Sequence, residues 1–135
     1  RKIITDRIET NIDLIKCVSG MSTHHLEASI RRGVKALVLE AFGRGNVPKS
    51  IVPKIIEAIQ KKILVVIVTR TYTGRVLPEY GYEGGGRHLT EIGAVLGDDL
   101  KGPKMRLKLM LLFGLLHSHD SVKKYLIQGN SQQPC

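Results

Sequence analysis

Three apolar runs stand out along the chain, and after each of the first two the apolar residues recur at helical spacing. The first, Asn11 to Cys17 (NIDLIKC), stops at Ser19-Gly20 and reads as a strand followed by a turn. Ser22 then stands where a helix cap belongs, Leu26 and Ile30 lie one turn apart as its buried stripe, and Gly33 suits its C-terminal end. The second run, Lys35 to Ala41 (KALVLEA), has almost no polar alternation, as expected of a strand covered on both faces. A loop, FGRGNVP, leads to a second helix capped by Ser50, with Pro53 in its first turn and Ile55, Ile56 and Ile59 facing inward. Lys61 and Lys62 suit the negative end of that helix. The third run, Ile63 to Thr69 (ILVVIVT), is so dense in β-branched residues that only a strand accommodates it easily.

From Arg70 to Gly86 periodicity vanishes and Gly, Tyr and Pro dominate, a long loop of the kind that usually serves function. A short helix at His88 to Glu91 and a short strand at Ala94 to Leu96 follow. Leu107, Met110, Leu111 and Leu115 then mark an amphipathic helix, and Asp120 caps a last one ending near Gly129. Strand and helix thus alternate, which predicts an α/β fold: a small open parallel sheet of about four strands with helices on both faces. The length of 135 residues fits one domain spanning 1–135. Ligands of open parallel sheets meet the carboxyl ends of the strands, so FGRGNVP and the loop after Thr69 are expected on one edge.

Composition narrows the classes. No Trp and 4% aromatic residues leave few stacking platforms, which argues against a single-strand nucleic-acid partner. The net charge of +9 favours acidic partners, but the basic residues are spread at helical spacing, as on solvated helix faces. Cys17 and Cys135 give neither a disulfide framework nor a zinc spacing, which points to a reducing cytoplasm. No run approaches the ~20 apolar residues of a membrane span. A chain opening on Arg1 reads as a fragment of something longer.

Candidate motifs are individually modest. Gly43-Arg44-Gly45 follows a strand, but Pro48 stands where a dinucleotide fingerprint needs its third glycine, so a tight turn is the better reading. Asn46 inside that turn carries an amide able to donate and accept. Gly84-Gly85-Gly86 lacks the Lys-Ser or Lys-Thr pair of a phosphate loop and reads as flexible connection. His24-His25 and His117-Ser118-His119 lack acidic or sulfur partners at metal-ligand spacing, so no metal site is expected. Thr69, Thr71 and Thr73 alternate near a strand end, where β propensity accounts for them, and no nucleophile elbow is present.

Taken together the segments say more. Gly20-Met21, then LEAFGRGNVP (Leu39 to Pro48), VTRTYTGRV (Val68 to Val76), GYEGGGRHL (Gly81 to Leu89) and IGAVLGDDLKGPKMRLKLML (Ile92 to Leu111), in that order and spacing, resemble the L-asparaginase family. The similarity runs from about Asn11 to Ile127 and concerns the C-terminal domain alone. It implies a flavodoxin- or Rossmann-like layered fold. The YGYEGGG stretch is similar to cytoplasmic-type members, although Ser19 replaces a proline common in the family.

The resemblance also implies a division of labour. The family's two essential threonines belong to a preceding N-terminal domain, and Thr5-Asp6 lacks the glycine context of either motif, so no catalytic residue is expected here. The substrate-binding residues it implies are Asn46, matching the family's Gly-x-Gly-Asn loop, and Glu83, as a binder of the substrate α-amino group. The parent would hydrolyse L-asparagine to L-aspartate and ammonia without metal or cofactor, as a homo-oligomer whose subunits complete one another's sites. The isolated chain would be inactive. Two alternatives are an asparaginase-like component of a glutamyl-tRNA(Gln) amidotransferase, toward which the charge leans, and a stand-alone binding module that lost the chemistry.

Overall fold

The computed structural model describes residues 2–131. Cys135 lies outside them. Four strands, β1 (Ile12–Lys16), β2 (Ala36–Ala41), β3 (Leu64–Thr69) and β4 (Val95–Leu96), form one sheet in the order β1-β2-β3-β4, all parallel. The helices are α1 (His24–Arg32), α2 (Val52–Gln60), α3 (Gly86–Glu91), α4 (Gly102–Leu116) and α5 (His119–Ser131), with a 3₁₀ turn at Lys49–Ile51 before α2. The parallel α/β sheet of four strands agrees with the expectation. Because each strand lies beside its predecessor, the order never reverses, and the sheet has no switch-point crevice of the kind that receives ligands in doubly wound folds.

The order also decides which helices cover which face. Crossovers of one hand stepping in one direction deposit their helices on one side. On that side Leu37, Leu39, Val65 and Ile67 pack with Leu26, Ile30, Ile55 and Leu89, drawn from α1, α2 and α3. Ile12, Ala36, Val38, Leu64, Val66 and Val68 face the other way, onto Met105, Leu109, Leu112 and Phe113 of α4 and Val122 and Leu126 of α5. Each strand therefore alternates between two apolar cores, and all six residues of β3 are buried.

Element ends depart from the sequence reading in several places. Thr23, rather than Ser22, is the N-cap position of α1; its hydroxyl donates to Glu27 Oε1 at 2.7 Å, while Ser22 Oγ accepts only a long 3.4 Å bond from the His24 N–H. Ser50 lies within the 3₁₀ turn and does not cap α2, which starts from that turn with Pro53 in its first turn. α5 begins at His119, with Ser118 Oγ accepting from Ser121 N–H at 3.3 Å and Asp120 within the first turn, and it continues past Gly129.

The larger correction concerns α4. Leu107 and Leu115 are 53% and 42% exposed, and the buried stripe is Met105, Leu109, Leu112 and Phe113. The segment is apolar around most of its circumference, so periodicity alone could not orient it. The N-terminal arm fixes one flank: Glu9 N–H donates to the Met110 carbonyl at 3.1 Å, and Arg106 donates to the carbonyls of Ile12 (2.7 Å) and Thr10 (3.2 Å). Leu109→Ala is expected to destabilise the chain by about 2–5 kcal/mol, whereas Leu107→Ala should stay within about 0.5 kcal/mol. Urea denaturation of both variants checks this; equal losses would contradict the assignment of the buried stripe.

Candidate functional site at the carboxyl edge of the sheet

Two loops build this edge. The first leaves β2 and closes on itself: Phe42 N–H donates to the Asn46 carbonyl at 2.8 Å and Asn46 N–H to the Phe42 carbonyl at 3.0 Å. Between them Gly43 (φ 45°) and Gly45 (φ 115°) adopt left-handed backbone that other residues rarely tolerate. This is the tight turn expected of Gly43-Arg44-Gly45, and it delivers the chain into a 3₁₀ turn instead of a phosphate-facing helix start.

The second loop, residues 70–85, lies on the first. Leu77 N–H donates to the Arg44 carbonyl at 2.9 Å, and Val47 N–H to the Gly84 carbonyl at 2.8 Å. Gly84-Gly85-Gly86, read from sequence as flexible connection, is instead buried. A Cβ on Gly84 would approach the Val47 carbonyl oxygen to 2.5 Å, one on Gly86 the Leu77 oxygen to 2.6 Å, and one on Gly85 would collide with the Tyr80 oxygen. The glycines are there so that three backbone segments can touch.

Asn46 and Glu83 are therefore brought to neighbouring positions, each one residue from the Val47–Gly84 hydrogen bond. Asn46 is half-buried; its Oδ1 is enclosed and has no hydrogen-bond partner among the described residues. Leaving a buried amide oxygen unpaired costs about 1–3 kcal/mol. The Glu83 carboxylate is exposed and pairs with Lys49 Nζ at 3.4 Å. An exposed pair of this kind contributes only about 0–1 kcal/mol. Lys49 was not anticipated; nothing in the sequence marks it beyond its place three residues after Asn46.

Other polar groups of the edge pair with one another. Arg44 pairs with Glu79, Arg75 with Asp98 (3.1 Å) and Lys16 with Glu40 (3.6 Å). The Thr69 and Thr71 hydroxyls lie 2.7 Å apart, and Thr71 donates to the Thr73 carbonyl at 2.7 Å, so these hydroxyls knit the loop instead of lining a pocket. Arg70 stacks on the Phe42 ring, 4.6 Å from its centroid, and donates to the Cys17 carbonyl at 3.2 Å. Burial pushes the Cys17 thiol up to about 11, against the smaller opposing pull of Arg70, so it stays protonated and is no nucleophile. Among the described residues no His, Cys, Asp and Glu side chains are grouped to hold a metal ion, and no helix is long and apolar enough to cross a membrane.

Depressions of about 290, 380 and 560 Å³ lie elsewhere on the surface, and neither Asn46 nor Glu83 lines them.

A sheet without a switch point, whose carboxyl edge is built from two interlocked glycine-rich loops, defines a class of parallel α/β domain. Residues 11–126 match the Glutaminase/Asparaginase C-terminal domain, and the chain belongs to that family. It is 34% identical over 122 residues to a probable L-asparaginase of Deinococcus radiodurans, an alignment covering 90% of this chain and 37% of the relative. An L-asparaginase of Bacillus licheniformis is 35% identical over 75% of this chain and 31% of its own length. A glutamyl-tRNA(Gln) amidotransferase component of Pyrococcus abyssi is 27% identical over 92% of this chain and 28% of its own. The chain thus spans about a third of the length of the relatives it matches. Its fold is shared with L-asparaginase I of Vibrio cholerae at a TM-score of 0.80 and 23% identity, covering 98% of this chain and 38% of that one.

The thiol offers a direct check on this edge. In a Cys135→Ser variant, a Cys17 pKa of about 11 leaves roughly one thiolate per thousand at pH 8. Disulfide-reagent labelling should then be at least ~100-fold slower in the native chain than in denaturing urea, rising as pH approaches the raised value. Equal native and unfolded rates would place Cys17 in solvent.

Proposed function

We propose that this chain is the C-terminal domain of an L-asparaginase, acting as one unit over residues 1–135 and supplying binding groups and subunit contacts rather than the nucleophile. The observation that carries the reading is the joining of the Asn46 and Glu83 loops at one sheet edge through the Val47–Gly84 hydrogen bond, in a chain that matches the family over residues 11–126. In the whole protein a threonine hydroxyl of the N-terminal domain attacks the side-chain amide carbon of L-asparagine. The C–N bond breaks with ammonia leaving, and water then cleaves the acyl ester to release L-aspartate. Asn46 Oδ1 accepts a hydrogen bond from the bound amino acid or its water, which relieves the unpaired oxygen. Glu83 exchanges Lys49 for the substrate α-ammonium group.

A preceding domain and neighbouring subunits complete the site. Ile4, Ile8, Leu107 and Leu115, exposed on the arm and the outer side of α4, add apolar surface suited to subunit contact. The likeness of YGYEGGG to cytoplasmic-type enzymes carries a cytoplasmic assignment. The amidotransferase relatives and the +9 charge favour a second reading, a component acting on glutamyl-tRNA(Gln), which requires RNA binding that weakens steeply with salt.

The test is a chimera in which this chain replaces the C-terminal domain of the Bacillus licheniformis enzyme. It should release ammonia from L-asparagine, while the chain by itself should release none. In the chimera Asn46→Ala should lower kcat/KM by an amount equivalent to ~1–3 kcal/mol, and Glu83→Gln should act mainly by raising KM. A folded chimera with full activity after Asn46→Ala would remove Asn46 from the site.

A further inference from the structure

At the opposite edge, where the strands begin, a depression of about 380 Å³ is lined by Lys35, Lys61, Lys62, His117 and His119 over an apolar floor that includes Val34 and Phe113. Its size is that of a small-molecule site, roughly 300–1,000 Å³. The charge around it differs from that of the carboxyl edge, where Lys16, Arg44, Lys49 and Arg75 each face a carboxylate. Here Lys61 pairs with Glu57 at 3.4 Å and His119 with Asp120 at 3.0 Å, but the ammonium groups of Lys35 and Lys62 and the ring of His117 form no ion pair or hydrogen bond with the described residues. Asp120 is itself held low, first by its hydrogen bond to His119 and less by Lys62 and Lys123, so the acid nearest the rim is already engaged.

The backbone adds an independent observation. Three helices, α1, α2 and α4, end at this depression, and each is followed by a residue in the left-handed region: Gly33 (φ 67°), Lys62 (φ 61°) and His117 (φ 60°). Glycine adopts that conformation without strain and is the usual choice at a helix end. Lys62 and His117 bear the strain, although their backbone N–H groups close the turns, onto Ile59 and Phe113, as a glycine's would. The fold does not need these side chains for the turn, and both line the same depression.

We propose that this amino-edge depression binds a small phosphorylated anion, with Lys35, Lys62 and His117 donating to its phosphate and the apolar floor receiving the rest of the molecule. The competing explanation is that the lysines only neutralise the negative helix ends. The two differ in what Lys62→Gly does. A lysine that only neutralises, once replaced by glycine, leaves anion binding as it was; a ligand-binding lysine, once replaced, leaves a folded chain that no longer binds.

The full 135-residue chain is titrated at low ionic strength with inorganic phosphate, pyrophosphate and adenosine monophosphate. Heat and the His117 ring resonances are followed, and urea stability is measured in parallel. One saturable site is expected. Lys62→Gly and Lys35→Gln should each weaken it by about tenfold or more, the loss of one charge-assisted hydrogen bond, without loss of stability in Lys62→Gly. A Lys104→Gln, Lys108→Gln control on α4 should bind as before. Tighter binding of the nucleotide than of pyrophosphate assigns the floor to an organic group, and equal binding assigns the site to the phosphate alone; both uphold the pocket. The proposal is overturned by no saturable binding, by equal weakening in the α4 control, or by a Lys62→Gly chain that binds normally.

Discussion

Everything in this molecule hangs on the pairing of β2 with β3, two strands that have no polar face. Leu37, Leu39, Val65 and Ile67 point to one side of the sheet and Val38, Leu64, Val66 and Val68 to the other, all of them buried. Such a ribbon is stable only when covered twice. The crossovers α1, α2 and α3 cover one side because the strand order advances without reversal, and nothing in that part of the chain can reach the other. α4 and α5 exist, in structural terms, to close the second side. Arg106 then ties the arm at Thr10 and Ile12 to the closing helix, so the two ends of the folded region brace each other.

The same layering gives the sheet two unlike edges. Helices that return antiparallel to the strands collect their N-terminal, partially positive ends at the carboxyl edge and their negative ends at the amino edge. At the carboxyl edge the side chains add balanced pairs and one unsatisfied amide oxygen, at Asn46. At the amino edge lysines outnumber their acidic neighbours, and the excess positive charge of the chain becomes local there.

How much of this was legible in the sequence follows from what each segment had to distinguish. Lys35 to Ala41 and Ile63 to Thr69 were readable because β-branched residues packed that densely fit a doubly covered strand and little else. The turn at Gly43 and Gly45 was readable because left-handed backbone selects glycine. The orientation of α4 was not, since Leu107 and Leu115 are chemically identical to the buried Leu109 and Leu112 and only the tertiary neighbours separate them. Gly84 to Gly86 was misread for a related reason: composition cannot tell a glycine that confers freedom from one that makes room for the carbonyls of Val47, Tyr80 and Leu77. Of the site, Asn46 and Glu83 came from family resemblance, and their adjacency came from the structure. The Lys49 partner and the enclosed Oδ1 belong to the three-dimensional arrangement alone.

The monotonic strand order has a bearing on how the chain is made. During synthesis each new strand finds its partner already present in the strand before it, so β1 to β4 can assemble in the order of translation. Helices α1 to α3 emerge interleaved with the strands and shield their side at once. The valine face of Val38, Val66 and Val68 must wait until residues 102–126 have left the ribosome. For that interval the nascent domain is a half-covered sheet with a bare apolar surface, the period in which a chaperone would have most to protect and a neighbouring nascent chain most to adhere to.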